Sequence, residues 1–172
     1  MNEYKIKLGS ITNGKNSFSF EIKDQFFDAF TLSDVEYAKI NATALVNKDG
    51  NKLGLTLQID GTVNKLLCDI CAEEISINIK TAINLIVTKT DKDLISTDEI
   101  LYIKNSDNSI DLKQLIFELI ILNLPKKRQH SLNNKGKVTC DKKMVSLIEK
   151  YTVKEEKLSD PRWDALKGLK LK

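Results

Sequence analysis

Over most of the first hundred positions, hydrophobic and polar residues alternate with a period of two, the pattern of strands that bury one face. The clearest run starts at Tyr37. Ala38, Ile40, Ala42, Ala44 and Val46 share one face, Asp49-Gly50 marks a turn, and Leu53, Leu55, Leu57 and Ile59 resume the alternation, which predicts an antiparallel hairpin. After Gly61 a strand runs to Leu66-Leu67-Cys68. Beyond Cys71, Ile75, Ile77, Ile79, Ile83, Leu85 and Val87 hold one register, interrupted only by Thr81. The pair Cys68 and Cys71 therefore falls at a turn between two strands. Upstream, Tyr4 to Leu8 and Ser17 to Ile22 read as short strands joined by the turn-forming Asn13-Gly14-Lys15-Asn16. Phe26, Phe27 and Phe30 form a compact cluster expected in the core. Residues 89–98 are polar and predict a loop, followed by a last short strand at Ile100, Tyr102 and Ile103.

The periodicity then changes. Ile110, Asp111, Gln114 and Leu115 fit the N′, N-cap, N3 and N4 positions of a capping box with a hydrophobic staple. Leu112, Leu115, Ile116, Leu119 and Ile120 leave only a thin polar strip of Lys113, Gln114 and Glu118. The expected helix, Asp111 to Leu124, is thus largely buried against the sheet, and Pro125 ends it. Asp141 can cap a second helix with Met144, Leu147, Ile148 and Tyr151 on one face. Asp160-Pro161 opens a third, on which Trp163 and Leu166 share a face. The predicted fold is α+β: a curved antiparallel sheet or partial β-barrel covered by one buried helix, with a small helical C-terminal subdomain. Residues 1–125 form the β domain with its covering helix, and residues 126–172 a basic C-terminal segment with two short helices.

A chain of 172 residues with 41% hydrophobic content suffices for one substantial core. The longest apolar run, Leu115 to Leu124, contains Glu118 and is too short to span a bilayer. The opening residues alternate instead of forming an apolar block, so no leader and a cytoplasmic location are expected. The net charge of +3 conceals an asymmetry: residues 126–172 hold 14 Lys/Arg against 6 Asp/Glu, a net of +8, leaving residues 1–125 at −5. Such asymmetry points to nucleic acid or an acidic partner, or else to a solvated tail. Lys126, Lys127 and Arg128 form a basic run directly after the buried helix, with Lys135, Lys137, Lys142 and Lys143 close behind, and these are the candidate phosphate contacts.

Cys68, Cys71, Cys140 and His130 include every cysteine and the only histidine. Together they would make a Cys3His set suited to structural zinc, filled by protein ligands with no position left for a reacting water. The alternatives are reduced structural cysteines and a redox pair. Thioredoxin-type pairs begin a helix, whereas this one precedes a strand. With a single histidine, no G-x-S-x-G elbow, no P-loop and no G-x-G-x-x-G, the chain reads as a non-enzyme.

These features together resemble the YceD family, the large ribosomal RNA subunit accumulation proteins. The resemblance is carried by Cys68-Asp69-Ile70-Cys71 at a strand end, by Ile110-Asp111-Leu112 opening an apolar helix that contains Glu118 and ends at Leu124-Pro125, and by Asp160-Pro161-Arg162-Trp163-Asp164-Ala165-Leu166. Many relatives look richer in cysteine after the Leu-Pro, where this chain has His130 and Cys140. The resemblance implies a non-enzymatic factor supporting synthesis, processing or accumulation of large-subunit (23S) ribosomal RNA. The expected partner is ribosomal RNA or a large-subunit ribosomal protein, with no membrane and no small-molecule substrate. The competing reading is a zinc-stabilised protein-interaction module without nucleic-acid contact.

Overall fold

A computed structural model describes residues 4–30, 33–130 and 140–152. Its centre is a five-stranded sheet in the order β2-β3-β4-β5-β6, comprising β2 (Gly14–Ile22), β3 (Tyr37–Asp49), β4 (Lys52–Leu67), β5 (Glu74–Thr90) and β6 (Ile100–Lys104). The expected hairpin is present. Asp49 pairs with Lys52 across a two-residue turn whose first position, Gly50, takes φ +56°, a conformation that costs glycine little. Ile40, Ala42, Ala44, Val46, Leu55, Leu57 and Ile59 are all buried on one face, as the alternation predicts.

The sheet is curved, open and α+β in setting, and it is mixed instead of wholly antiparallel. β6 runs parallel to β5, pairing Ile86 with Ile100 and Thr90 with Lys104. Period-two patterning fixes which face a side chain takes but carries no information on strand direction. β4 is also kinked near its end, where the register shifts between Val63 and Leu66 and Lys65 adopts φ +54°.

Both short N-terminal strands are present, and the first, β1 (Lys5–Lys7), pairs with β7 (Ser109–Asp111) in a separate two-stranded sheet. The stretch expected to turn, Asn13 to Asn16, lies largely in β2, which already starts at Gly14, and the Asn16 side chain folds back to bond Thr12. Ile110 and Asp111 consequently belong to a strand, and the helix α1 (Lys113–Leu122) begins after Leu112. Asp111 still accepts from the Lys113 amide at 3.0 Å, but Gln114 bonds Glu118 and does not return to close a capping box. The helix stops at Leu122, which is 80% exposed.

The covering layer packs by aromatic and aliphatic contact. Ile116, Leu119 and Ile120 of α1 are buried, as are Phe26 and Phe27 of a 3-10 segment, Asp24–Ala29. Phe30 stacks on Phe117 at 3.8 Å between ring centres, joining that segment to α1. The second helix, α2 (Lys142–Tyr151), is capped as expected by Asp141, whose carboxylate accepts from the Lys143 and Met144 amides. The third expected helix, with Trp163 and Leu166, lies outside the described residues. Among the described residues no helix is long and apolar enough to cross a membrane.

Candidate metal centre

The two longest strands, β4 and β5, are joined by the six residues from Cys68 to Glu73. The Cys68 amide donates to the Glu73 carbonyl and the Ala72 amide to the Cys68 carbonyl, each at 2.9 Å. This closes a tight turn and places Ala72 at φ +57°. A non-glycine residue there is strained by about 1–2 kcal/mol. The outcome is that both thiols point to the same side, with the Ile70 amide donating to Cys68 Sγ at 3.5 Å.

His130 and Cys140 arrive from the segment after α1. Cys68 Sγ lies 3.6 Å from Cys140 Sγ, and His130 Nδ1 lies 3.5 Å from both Cys71 Sγ and Cys140 Sγ. All four ligand atoms fall within 4.8 Å of one another. Tetrahedral zinc, with sulfur at about 2.3 Å and nitrogen at about 2.0–2.1 Å, requires S···S edges of about 3.8 Å and S···N edges of about 3.6 Å. The Cys68–Cys140, His130–Cys71 and His130–Cys140 distances fit those edges, and the remaining pairs stay within 4.8 Å. The spacing does not fit a disulfide, whose sulfurs sit at about 2.05 Å, and all three cysteines are free.

The electrostatics favour a cation. Burial raises the Cys68 thiol, but amide donors from Cys71 and Ile70 outweigh it and bring the group down to about 6. Cys140 is pushed up to about 11 by burial and then by the neighbouring Cys68 and Cys71 sulfurs. The opposite shifts of Cys68 and Cys140 reflect thiols crowded against one another, a crowding that a divalent metal would relieve. Neither Cys68 nor Cys71 begins a helix; the residues that follow enter β5.

Two carboxylates fasten the site from outside, and the sequence reading did not single them out for it. Asp69 accepts from the Arg128 amide at 2.6 Å while its own amide donates to the Arg128 carbonyl at 2.7 Å. Asp34 then holds the Arg128 guanidinium in an ion pair, which keeps the Asp34 carboxyl below its ordinary range. Asp69 carries a modest signal, a short acceptor inside a C-x-x-C turn. Asp34 carries none, being 94 residues from its partner.

The candidate phosphate contacts divide accordingly. Lys126, Lys127, Lys142 and Lys143 are exposed, whereas Arg128 is engaged by Asp34, and Lys135 and Lys137 lie outside the described residues.

Four protein ligands that converge from a strand turn and a later segment could hold a metal ion, and a metal held by all four would be structural in kind. The sequence pattern described as Large ribosomal RNA subunit accumulation protein YceD matches residues 55–170, about two thirds of the chain, and the chain belongs to that family. No curated protein and no solved structure gives a significant match.

Proposed function

We propose that this chain is a non-enzymatic, cytoplasmic factor that supports accumulation of large-subunit (23S) ribosomal RNA, with zinc in its Cys3His centre and exposed lysines beside that centre meeting RNA phosphates. Family membership carries the biological setting. The support for direct contact is the placing of Lys142 and Lys143. They occupy the first turn of α2, where the helix dipole disfavours cations, so they do not serve the helix itself. With Lys126 and Lys127 they lie on either side of the metal ligands His130 and Cys140 in the chain, so metal binding would hold both pairs on one folded body. The metal thereby converts basic residues of a mostly local segment into a fixed surface.

The test is co-sedimentation with large-subunit precursor particles. Wild-type association should weaken as salt rises, and neutralising Lys126, Lys127, Lys142 and Lys143 to glutamine should flatten that dependence. Association insensitive to both salt and these changes would instead favour a protein-interaction module without nucleic-acid contact.

A further inference from the structure

At the end of the sheet opposite the cysteines, the core-facing register runs out into lysine. On β3 the buried series ends at Val46, and the next residue of that face is Lys48. On β5 it ends at Val87, and the next is Lys89. Leu53 of β4 pairs with both Lys48 and Val87 and is only partly buried. Lys48, Leu53, Val87 and Lys89 line, with Leu8, an open groove of about 780 Å³, and Lys52 is on the same lining. Lys7 adjoins it through a smaller hollow that shares Leu8 and Lys89. Four lysines from four strands thus gather around one groove, within the part of the chain that is net negative.

Elsewhere on the two sheets lysines are paired in some places and solvated in others: among the described residues Lys15 and Lys39 meet no carboxylate, and Lys65 lies over the Tyr37 ring. Lys5, Lys23, Lys80 and Lys104 each meet a carboxylate. Among the described residues no carboxylate lies within ion-pair distance of Lys7, Lys48, Lys52 or Lys89, although Asp49 is the backbone partner of Lys52 across the hairpin. Solvation explains any one of these side chains. Gathering four like charges around one groove raises the positive potential there, which attracts an anion.

We propose that this groove binds the phosphodiester backbone of an RNA strand, as a second contact surface. This rests on the reading that the protein works on ribosomal RNA. Lysines act as point charges toward phosphate and read no sequence, and among the described residues no aromatic side chain lines the groove to stack a base. The 16 residues of β4 separate it from the metal centre, roughly 50 Å of strand at about 3.3 Å per residue. One molecule therefore offers RNA two phosphate surfaces at opposite ends of its sheet.

The experiment measures binding of labelled oligouridylate by the full-length, metal-loaded protein across a salt series. Lys48→Gln with Lys89→Gln should lower affinity and reduce the slope of log affinity against log salt by about 1.4, the value for two single-strand phosphate contacts. Lys7→Gln with Lys52→Gln, which changes only exposed side chains, should act likewise and guards against misfolding of the first variant. Wild-type slopes in both variants, with the wild type still binding RNA, overturn the groove and leave the functional reading intact. Absence of RNA binding by the wild type overturns both. Displacement of the RNA by inorganic phosphate at matched ionic strength marks a free-phosphate site and overturns the polymer assignment.

Discussion

Asp69 and Arg128 grip each other through two hydrogen bonds: each donates its amide, one to a carboxylate and the other to a carbonyl. The residue between two candidate metal ligands on one strand turn thereby holds the backbone two residues before a third candidate, His130. The candidate ligands are positioned by protein contacts alone, which would lower the ordering cost of binding a metal.

Asp69→Ala should therefore weaken zinc binding although no ligand is touched. Loss of such an outer contact typically costs about 10–100-fold in metal affinity. Competition with a chromogenic chelator measures it, and an affinity equal to wild type would mean that the grip is incidental.

Gly61→Ala should be severely destabilising. A Cβ at Gly61 would sit 2.3 Å from the Lys39 carbonyl oxygen and 2.5 Å from Ile40 Cα, both backbone atoms of the paired strand. Two strands must separate to admit it, placing the change among those that cost more than about 4 kcal/mol. Gly54→Ala is the control, since its Cβ would meet nothing nearer than 3.9 Å. Urea unfolding of the two variants should give a large loss for the first and a small change for the second.

Much of this sheet was legible because burial on one face writes itself as alternation. β3, β4 and β5 appear in the sequence almost residue for residue, and so does the turn holding Cys68 and Cys71. What the pattern cannot carry is partner choice. That β1 pairs with β7, about a hundred residues away, and that β6 lies parallel to β5 depend on contacts remote in sequence. The same limit separates the four ligands, which residue type alone marked out, from Asp34, which only the fold brings to Arg128. The lysines of the groove went unmarked for a related reason: each is a lone charge in its own strand and becomes a cluster only across the sheet.

The Asp34 carboxyl should titrate below its ordinary value because the Arg128 guanidinium bonds its charged form, burial opposing more weakly. Its folded value lies below its unfolded one, so the stabilisation is complete above the ordinary carboxylate value of about 3.9 and is lost as pH falls through the folded value. Carboxyl carbon NMR should show the low midpoint in the wild type and its rise in Arg128→Gln. Equal midpoints in the two would contradict the pairing.

Phe30 and Phe117 should be energetically coupled. Their rings are stacked with an interplanar angle of 5° and join the 3-10 segment to α1. A double-mutant cycle to alanine should return about 0.5–1.5 kcal/mol of interaction; additive losses would show that each ring packs independently.

The most direct test of the metal centre is elemental mass spectrometry on untagged protein purified without added metal, beside Cys68→Ser. The geometry of Cys68, Cys71, His130 and Cys140 predicts about one zinc per chain in the wild type, lost in the variant. Metal-free protein with three freely titratable thiols would contradict it, leaving those four residues as packing partners and the lysines beside them without a fixed surface.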